Sequence, residues 1–162
     1  MKMKRQYTNG SVVIMEGAVV VGDVTLGEDC GVWFNAVIRG DNAPITIGNR
    51  CCIEESCVLH CPPDVPITIG DNVTIGHNAI LHGCIIGSNT TIGMGAILVT
   101  GAKVGCNCIV GAGSVVTAKT PIPDGSIAIG NPVKIARAMT EKEIDDNRVS
   151  AQMYVESKEN FR

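Results

Sequence analysis

Aliphatic residues recur every six positions along most of this chain: Ile14, Val20, Leu26, Val32 and Ile38; Ile47, Ile53 and Leu59; Ile69, Ile75 and Leu81; Ile86, Ile92, Leu98, Val104, Val110 and Val116. Six residues are too few for a helix pair or a hairpin, so each unit supplies a short strand and a corner. With three hexads to a coil, an aliphatic side chain points inward on each of three sides. Successive coils then stack roughly 4.8 Å apart through ladder hydrogen bonds. The fold expected is an all-β solenoid, a parallel β-helix, and the seventeen hexads make between five and six coils. Glycine follows many of the aliphatic residues, as in Leu26-Gly27, Ile47-Gly48 and Ile69-Gly70, and is expected to give the corners their backbone freedom.

Composition agrees with that architecture. Hydrophobic residues make up 45% and aromatics 3%, so the core is built from small aliphatic side chains at repeated positions rather than from rings. At 162 residues the chain makes one domain. After Val116 the repeat fades into turn signals at 121–125 and at Gly130-Asn131-Pro132, where the solenoid is expected to end. Thr140-Glu141-Lys142-Glu143 has the form of a capping box, with Ile144, Ala151 and Val155 on one helical face. The expected organisation is a β-helix with lead-in and terminal turns over 1–139. A C-terminal α-helix over 140–162 follows, packed along the solenoid or on a neighbouring subunit.

The phase of the repeat breaks in three places. Ile38 to Ile47 carries three extra residues, Leu59 to Ile69 carries four, and Leu81 to Ile86 is one short. Extra residues are expected as surface loops near the working face.

A net charge of −3 without a lysine or arginine cluster argues against nucleic acid and anionic membranes as partners. Residues 1–5 are basic, but no continuous apolar run follows, so neither a signal peptide nor a membrane span is expected. The eight cysteines include no CxxC pair. They read as small buried hydrophobes in a reducing cytoplasm, Cys61 and Cys84 included.

The three histidines, His60, His77 and His82, fall within 23 residues. Neutral imidazole suits zinc and other first-row divalent ions, and three protein ligands with one open position is the pattern of catalytic zinc. His60 and His82 each follow a corner leucine, 22 residues apart, which is one coil of 18 plus the four-residue insertion. They should therefore stack on adjacent coils and point the same way. His77 lies two residues past Ile75, on another part of the coil, too far round to complete the same site. In a three-fold assembly a neighbouring copy could supply it, and that assembly would also cover solenoid faces of Val and Ile.

These residues resemble a known family. Val37-Ile38-Arg39-Gly40-Asp41, Val58-Leu59-His60 and Ile75-Gly76-His77-Asn78-Ala79-Ile80-Leu81-His82-Gly83 are similar to segments of the γ-class carbonic anhydrases and their relatives. The resemblance implies a left-handed β-helix, a homotrimer, and a metal held at each subunit interface by His60 and His82 of one chain and His77 of the next. It implies zinc, or iron or cobalt in some members. The implied reaction is the reversible hydration of carbon dioxide to bicarbonate by a metal-bound hydroxide. Arg39 and Asp41 match residues that form interface ion pairs beside the site.

Two departures bear on activity. The family commonly has Asn-x-Gln ahead of the first histidine, with the glutamine orienting the metal-bound water, whereas this chain has Cys52-Ile53-Glu54-Glu55. Glu54 as a carboxylate could take the water's proton, bind the metal, or impair turnover. Residues 61–64 are also too short for the acidic loop whose glutamate shuttles protons in the archetype.

Two other functions compete on the same solenoid: an acyltransferase or thioesterase acting on coenzyme A esters, and a non-catalytic, metal-stabilised assembly subunit. Trp33 and Phe34 read as packing or trimer contacts, and Tyr154, on the terminal helix, as lying off the site.

Overall fold

The computed structural model describes residues 5–7 and 11–161. The first four residues, part of the basic lead-in considered above, lie outside that range. The chain winds as a parallel β-solenoid with three faces. On the first face, Val58–His60, Ile80–His82, Ile97–Leu98 and Val115–Val116 stack below the leading halves of the long strands Val19–Leu26 and Val37–Ile47. The second face takes the trailing halves of those long strands, then Ile67–Ile69, Ile85–Ile86 and Lys103–Val104. The third face runs from Val13–Ile14 through Gly31–Val32, Cys52–Ile53, Thr74–Ile75, Thr91–Ile92 and Ile109–Val110 to Ser126–Ile129.

The hexad positions form the core in vertical columns. Val20, Ile38, Leu59, Leu81, Leu98 and Val116 make the first, and every one is buried. The repeat does not stop at Val116. Ile122 and Ala128 continue it in phase: Ile122 bridges to Val104, and Ala128 pairs with Val110. Pro121 and Pro123 have no backbone N–H to offer a ladder, which reduces that strand to a single bridge and hides the hexad from a pattern search. Lys134–Ala138 then turns back antiparallel along Ser126–Ile129 and closes the edge of the third face.

The glycines that follow the aliphatic residues do a different job from the one expected. Positive φ falls two residues later, on Asp29, Arg50, Asn72, Asn78, Asn89 and Asn107. Gly27, Gly48 and Gly70 are needed because coils approach too closely there for a Cβ. One added at Gly48 would lie 2.4 Å from Asp71 Oδ1 and 2.7 Å from the carbonyl carbon of Gly70.

Residues 39–44 also differ from the loop expected of them. They belong to the continuous strand Val37–Ile47, and the three extra residues are absorbed as a bulge opposite Gly22–Val24. Gly22 and Gly40 cross there in backbone contact, with Gly22's missing Cβ position 2.4 Å from the Gly40 carbonyl oxygen. The bulge turns Asp41 and Asn42 toward His60. Residues 61–66 do form a turn. Gly83, at φ 54°, takes the tight corner beneath it, where a side chain would meet Pro62 and Val65.

The helix α1, Glu141–Ser157, starts at the anticipated capping box: Thr140 Oγ1 accepts from the Glu143 amide while the Glu143 carboxylate accepts from the Thr140 amide. It lies on its own solenoid, against the third face. Asn147 Nδ2 donates to the Asn89 and Cys108 carbonyls, and its Oδ1 accepts from the Thr91 hydroxyl. The buried face thus includes a polar residue that an apolar pattern passes over. Beyond α1, Phe161 joins Trp33, Phe34 and Tyr154 in edge-on contacts, and Trp33 and Phe34 serve as packing residues within the chain. No helix among the described residues is long and apolar enough to cross a membrane.

Candidate metal centre

His60 and His82 are register partners on adjacent coils, as their spacing requires, with ring centroids 5.4 Å apart. Both sit where the first face turns into the second. Each ring has one nitrogen engaged within the chain. His60 Nε2 lies 3.2 Å from Asp41 Oδ1 and 3.3 Å from Asn42 Nδ2, and His82 Nδ1 lies 2.9 Å from Thr100 Oγ1. His60 Nδ1 and His82 Nε2 have no hydrogen-bond partner among the described residues.

Arg39, the register partner of His60 on the coil above, forms an ion pair with Asp41. Partial desolvation pushes the Asp41 carboxyl up, but hydrogen bonds from its own amide and from Arg39 outweigh it. The group sits below the ordinary carboxylate range.

His77 stands at a different corner, where the third face turns into the first, half-exposed. The two carboxylates of the coil above hold it. Glu54, buried, accepts from the His77 amide at 2.9 Å through Oε2, and the same oxygen lies 3.1 Å from Nε2. Glu55 Oε2 approaches Nδ1 at 2.7 Å without the in-line geometry of a hydrogen bond.

Tyr154 lies on the site rather than off it. With Glu54, His77, Met94 and Ser150 it lines a cavity of about 270 Å³ between α1 and the third face. Burial, and then the hydrogen bond to Glu54, push its hydroxyl well above the ordinary tyrosine range. Among the described residues, no three His, Cys, Asp or Glu side chains of one chain gather where they could hold a metal ion. One chain therefore brings two histidines together and leaves the third at another corner.

Thr100, Asn42 and the clamping role of Glu55 were not assigned from sequence. Only the 18-residue offset of Thr100 from His82 and of Asn42 from His60 could have pointed to them.

The sequence model of the bacterial transferase hexapeptide family (six repeats) matches residues 66–99 and 83–118. The chain is thus a hexapeptide-repeat solenoid. It is 48% identical over 149 residues to "Probable carbonic anhydrase" of Methanocaldococcus jannaschii, covering 92% of this chain and 94% of that one. It is 40% identical to "Carbonic anhydrase" of Geobacillus kaustophilus, covering 99% and 88%. Among solved structures, a hexapeptide transferase family protein from Anaplasma phagocytophilum superposes with a TM-score of 0.91 at 32% identity, covering 96% of each chain. Within the hexapeptide-repeat class, the chain belongs to the γ-carbonic-anhydrase-like family.

Proposed function

We propose that this protein is a metal-dependent enzyme that hydrates carbon dioxide to bicarbonate at sites shared between the copies of a homotrimer. The observation that carries the reading is the in-register pair His60 and His82, each with a free ring nitrogen, on a chain 48% and 40% identical to proteins named as carbonic anhydrases.

The donor set fits zinc, and also iron or cobalt, because all three ligands would be imidazoles with a fourth position open. His60 and His82 would hold the ion with His77 of a neighbouring copy. When bound, it lowers the pKa of a water towards ~7 and so supplies a hydroxide nucleophile at neutral pH.

The chain's own residues do the rest. Asp41 and Asn42 orient His60, and Arg39 pairs with Asp41. Ligation through one nitrogen of His77 would displace one carboxylate contact and retain the other as its support. Glu54 is the nearest buried base to that ring, next to the cavity that Tyr154 lines.

A face of Val and Ile supports the trimer. Val19, Val37, Val58, Ile80, Ile97 and Val115 are consecutive register partners beside the histidine corner. Val19, Val58 and Ile80 are each about two-fifths exposed in the single chain.

The test is stopped-flow hydration by zinc-loaded and anaerobically iron-loaded protein, beside a Glu54→Gln variant and a panel of coenzyme A thioesters. Hydration by the wild type supports the reading, and the variant then gains activity if Glu54 perturbs the site or loses it if Glu54 is the base. Metal-replete protein that hydrates nothing but turns over an acyl-coenzyme A transfers the reading to the acyltransferase class, which the hexapeptide transferase likeness favours.

A further inference from the structure

His82 Nδ1 lies 2.9 Å from the hydroxyl of Thr100, the only side chain hydrogen-bonded to that ring among the described residues. Thr100 does not reach there by a free rotation from a mobile surface. It occupies the second position of a tight turn in which the Ala102 amide donates to the Val99 carbonyl at 2.9 Å, with Gly101 at φ +81°. That is the pattern of a type II turn, in which glycine takes the third position. The Gly101 amide in turn donates to the Gly83 carbonyl at 2.8 Å, tying the turn to the residue that follows His82 on the coil above. The level of the Thr100 hydroxyl is therefore set by backbone bonds on both sides.

A neutral imidazole has one N–H and one lone pair. If Nδ1 carries the proton and donates it to a neighbour, Nε2 holds the lone pair and is the ligating atom. Metal-binding histidines generally have their other nitrogen held in this way, by a carboxylate, a carbonyl or water. His60 and His77 face carboxylates. His82 faces a neutral hydroxyl.

We propose that Thr100 is a positioning residue for the metal centre, accepting the Nδ1 proton of His82 so that Nε2 is fixed as the lone-pair nitrogen and aimed away from the chain. The assignment rests on the metal reading above and adds to it a residue that never touches the ion. It separates hydroxyl from shape: valine keeps the branched outline without the acceptor, and serine keeps the acceptor without the branch.

Two measurements on Thr100→Val and Thr100→Ser test it. Nitrogen-15 imidazole spectra of metal-free protein, taken above the ordinary histidine pKa range, should show the Nδ1–H form of His82 in the wild type and in the serine variant. The valine variant should shift toward Nε2–H. Zinc and cobalt titrations should show binding weakened about 10- to 100-fold in the valine variant and restored in the serine variant. Thermal melting of the metal-free proteins checks that the turn survives.

A valine variant that binds as tightly as the wild type overturns the assignment whatever its tautomer. So does a loss that serine fails to restore. Wild-type protein that takes up no metal overturns the metal reading and this role with it, whereas wild-type uptake with unchanged binding in the valine variant overturns the assignment alone.

Discussion

Ile80→Lys separates assembly from ligation without touching a histidine. Val19, Val58 and Ile80 are 43%, 40% and 42% exposed on one solenoid face, and Ile80 lies between Val58 and Ile97 in the ladder. Burying a whole Val or Ile side chain contributes about 1.5–3 kcal/mol, so covering the exposed two-fifths recovers about 0.6–1.2 kcal/mol per residue. The three together contribute about 2–4 kcal/mol to each interface. Lysine at position 80 removes about a third of that and places an unpaired ammonium in a closed apolar contact, a penalty of several kcal/mol. A three-fold ring incurs the loss at all three interfaces. In the single chain the same lysine points into water, so monomer stability should change by no more than about 0.5 kcal/mol. Sedimentation velocity at micromolar concentration should show a trimer for the wild type and a folded monomer for the variant. Metal affinity should fall with it, although His60, His77 and His82 remain. A variant that stays trimeric refutes the assignment of this face, and a folded monomer with wild-type metal affinity refutes the supply of His77 across the interface.

Leu81→Ala should destabilise the chain by about 4 kcal/mol, in the upper part of the range for buried leucines, because ladder hydrogen bonds keep the coils from closing over the gap. Chemical denaturation measures it, and a loss below about 2 kcal/mol would show that the coil collapses. Of the eight cysteines only Cys106 is partly exposed, and burial pushes the Cys57 and Cys84 thiols up to about 12. A thiol reagent at neutral pH should therefore label one site per native chain and all eight after unfolding, and rapid native labelling of Cys57 or Cys84 would contradict their burial. The Glu143 carboxyl is lowered from 4.5 to about 2, chiefly by Arg137 and then by Thr140, so its hold on the start of α1 is full above 4.5 and is lost as pH falls toward 2. Helical circular dichroism should fall over that window in the wild type, and a Glu143→Gln variant that keeps the same acid transition would assign it elsewhere.

The hexad period is legible because it is a constraint on burial: every sixth side chain must be aliphatic or the column beneath it opens. That rule located the core, the three faces and the stacking of His60 on His82. It failed where the constraint is on backbone. Nothing in the letters of residues 39–44 says that Gly22 and Gly40 cross in contact, which turns an anticipated loop into a bulged strand. Gly27 and Gly48 look like corner residues, yet the positive φ belongs to Asp29 and Arg50. The packing of α1 was half legible, since Ala151 is apolar but Asn147 is buried through hydrogen bonds that periodicity does not encode. Tyr154 escaped for the same reason, because its place over Glu54 depends on which solenoid face the helix chooses.

The exchange of an amide for a carboxylate at position 54 is also more specific in the fold than in the sequence. The bond from the His77 amide to Glu54 Oε2 is one that a glutamine oxygen could make equally well. What differs is the neighbouring contact, 3.1 Å to His77 Nε2. The same oxygen makes both contacts, so a glutamine that keeps the His77 amide bond presents a neutral acceptor to Nε2 in place of a charged one. Glu55 Oε2 stands 2.7 Å from Nδ1 on the other side, outside hydrogen-bond geometry. A metal reaching either ring nitrogen of His77 must therefore displace a carboxylate. On this account Glu54 acts first on the availability of His77 and only then on any water at the centre, so Glu54→Gln should tighten metal binding even if turnover is unchanged.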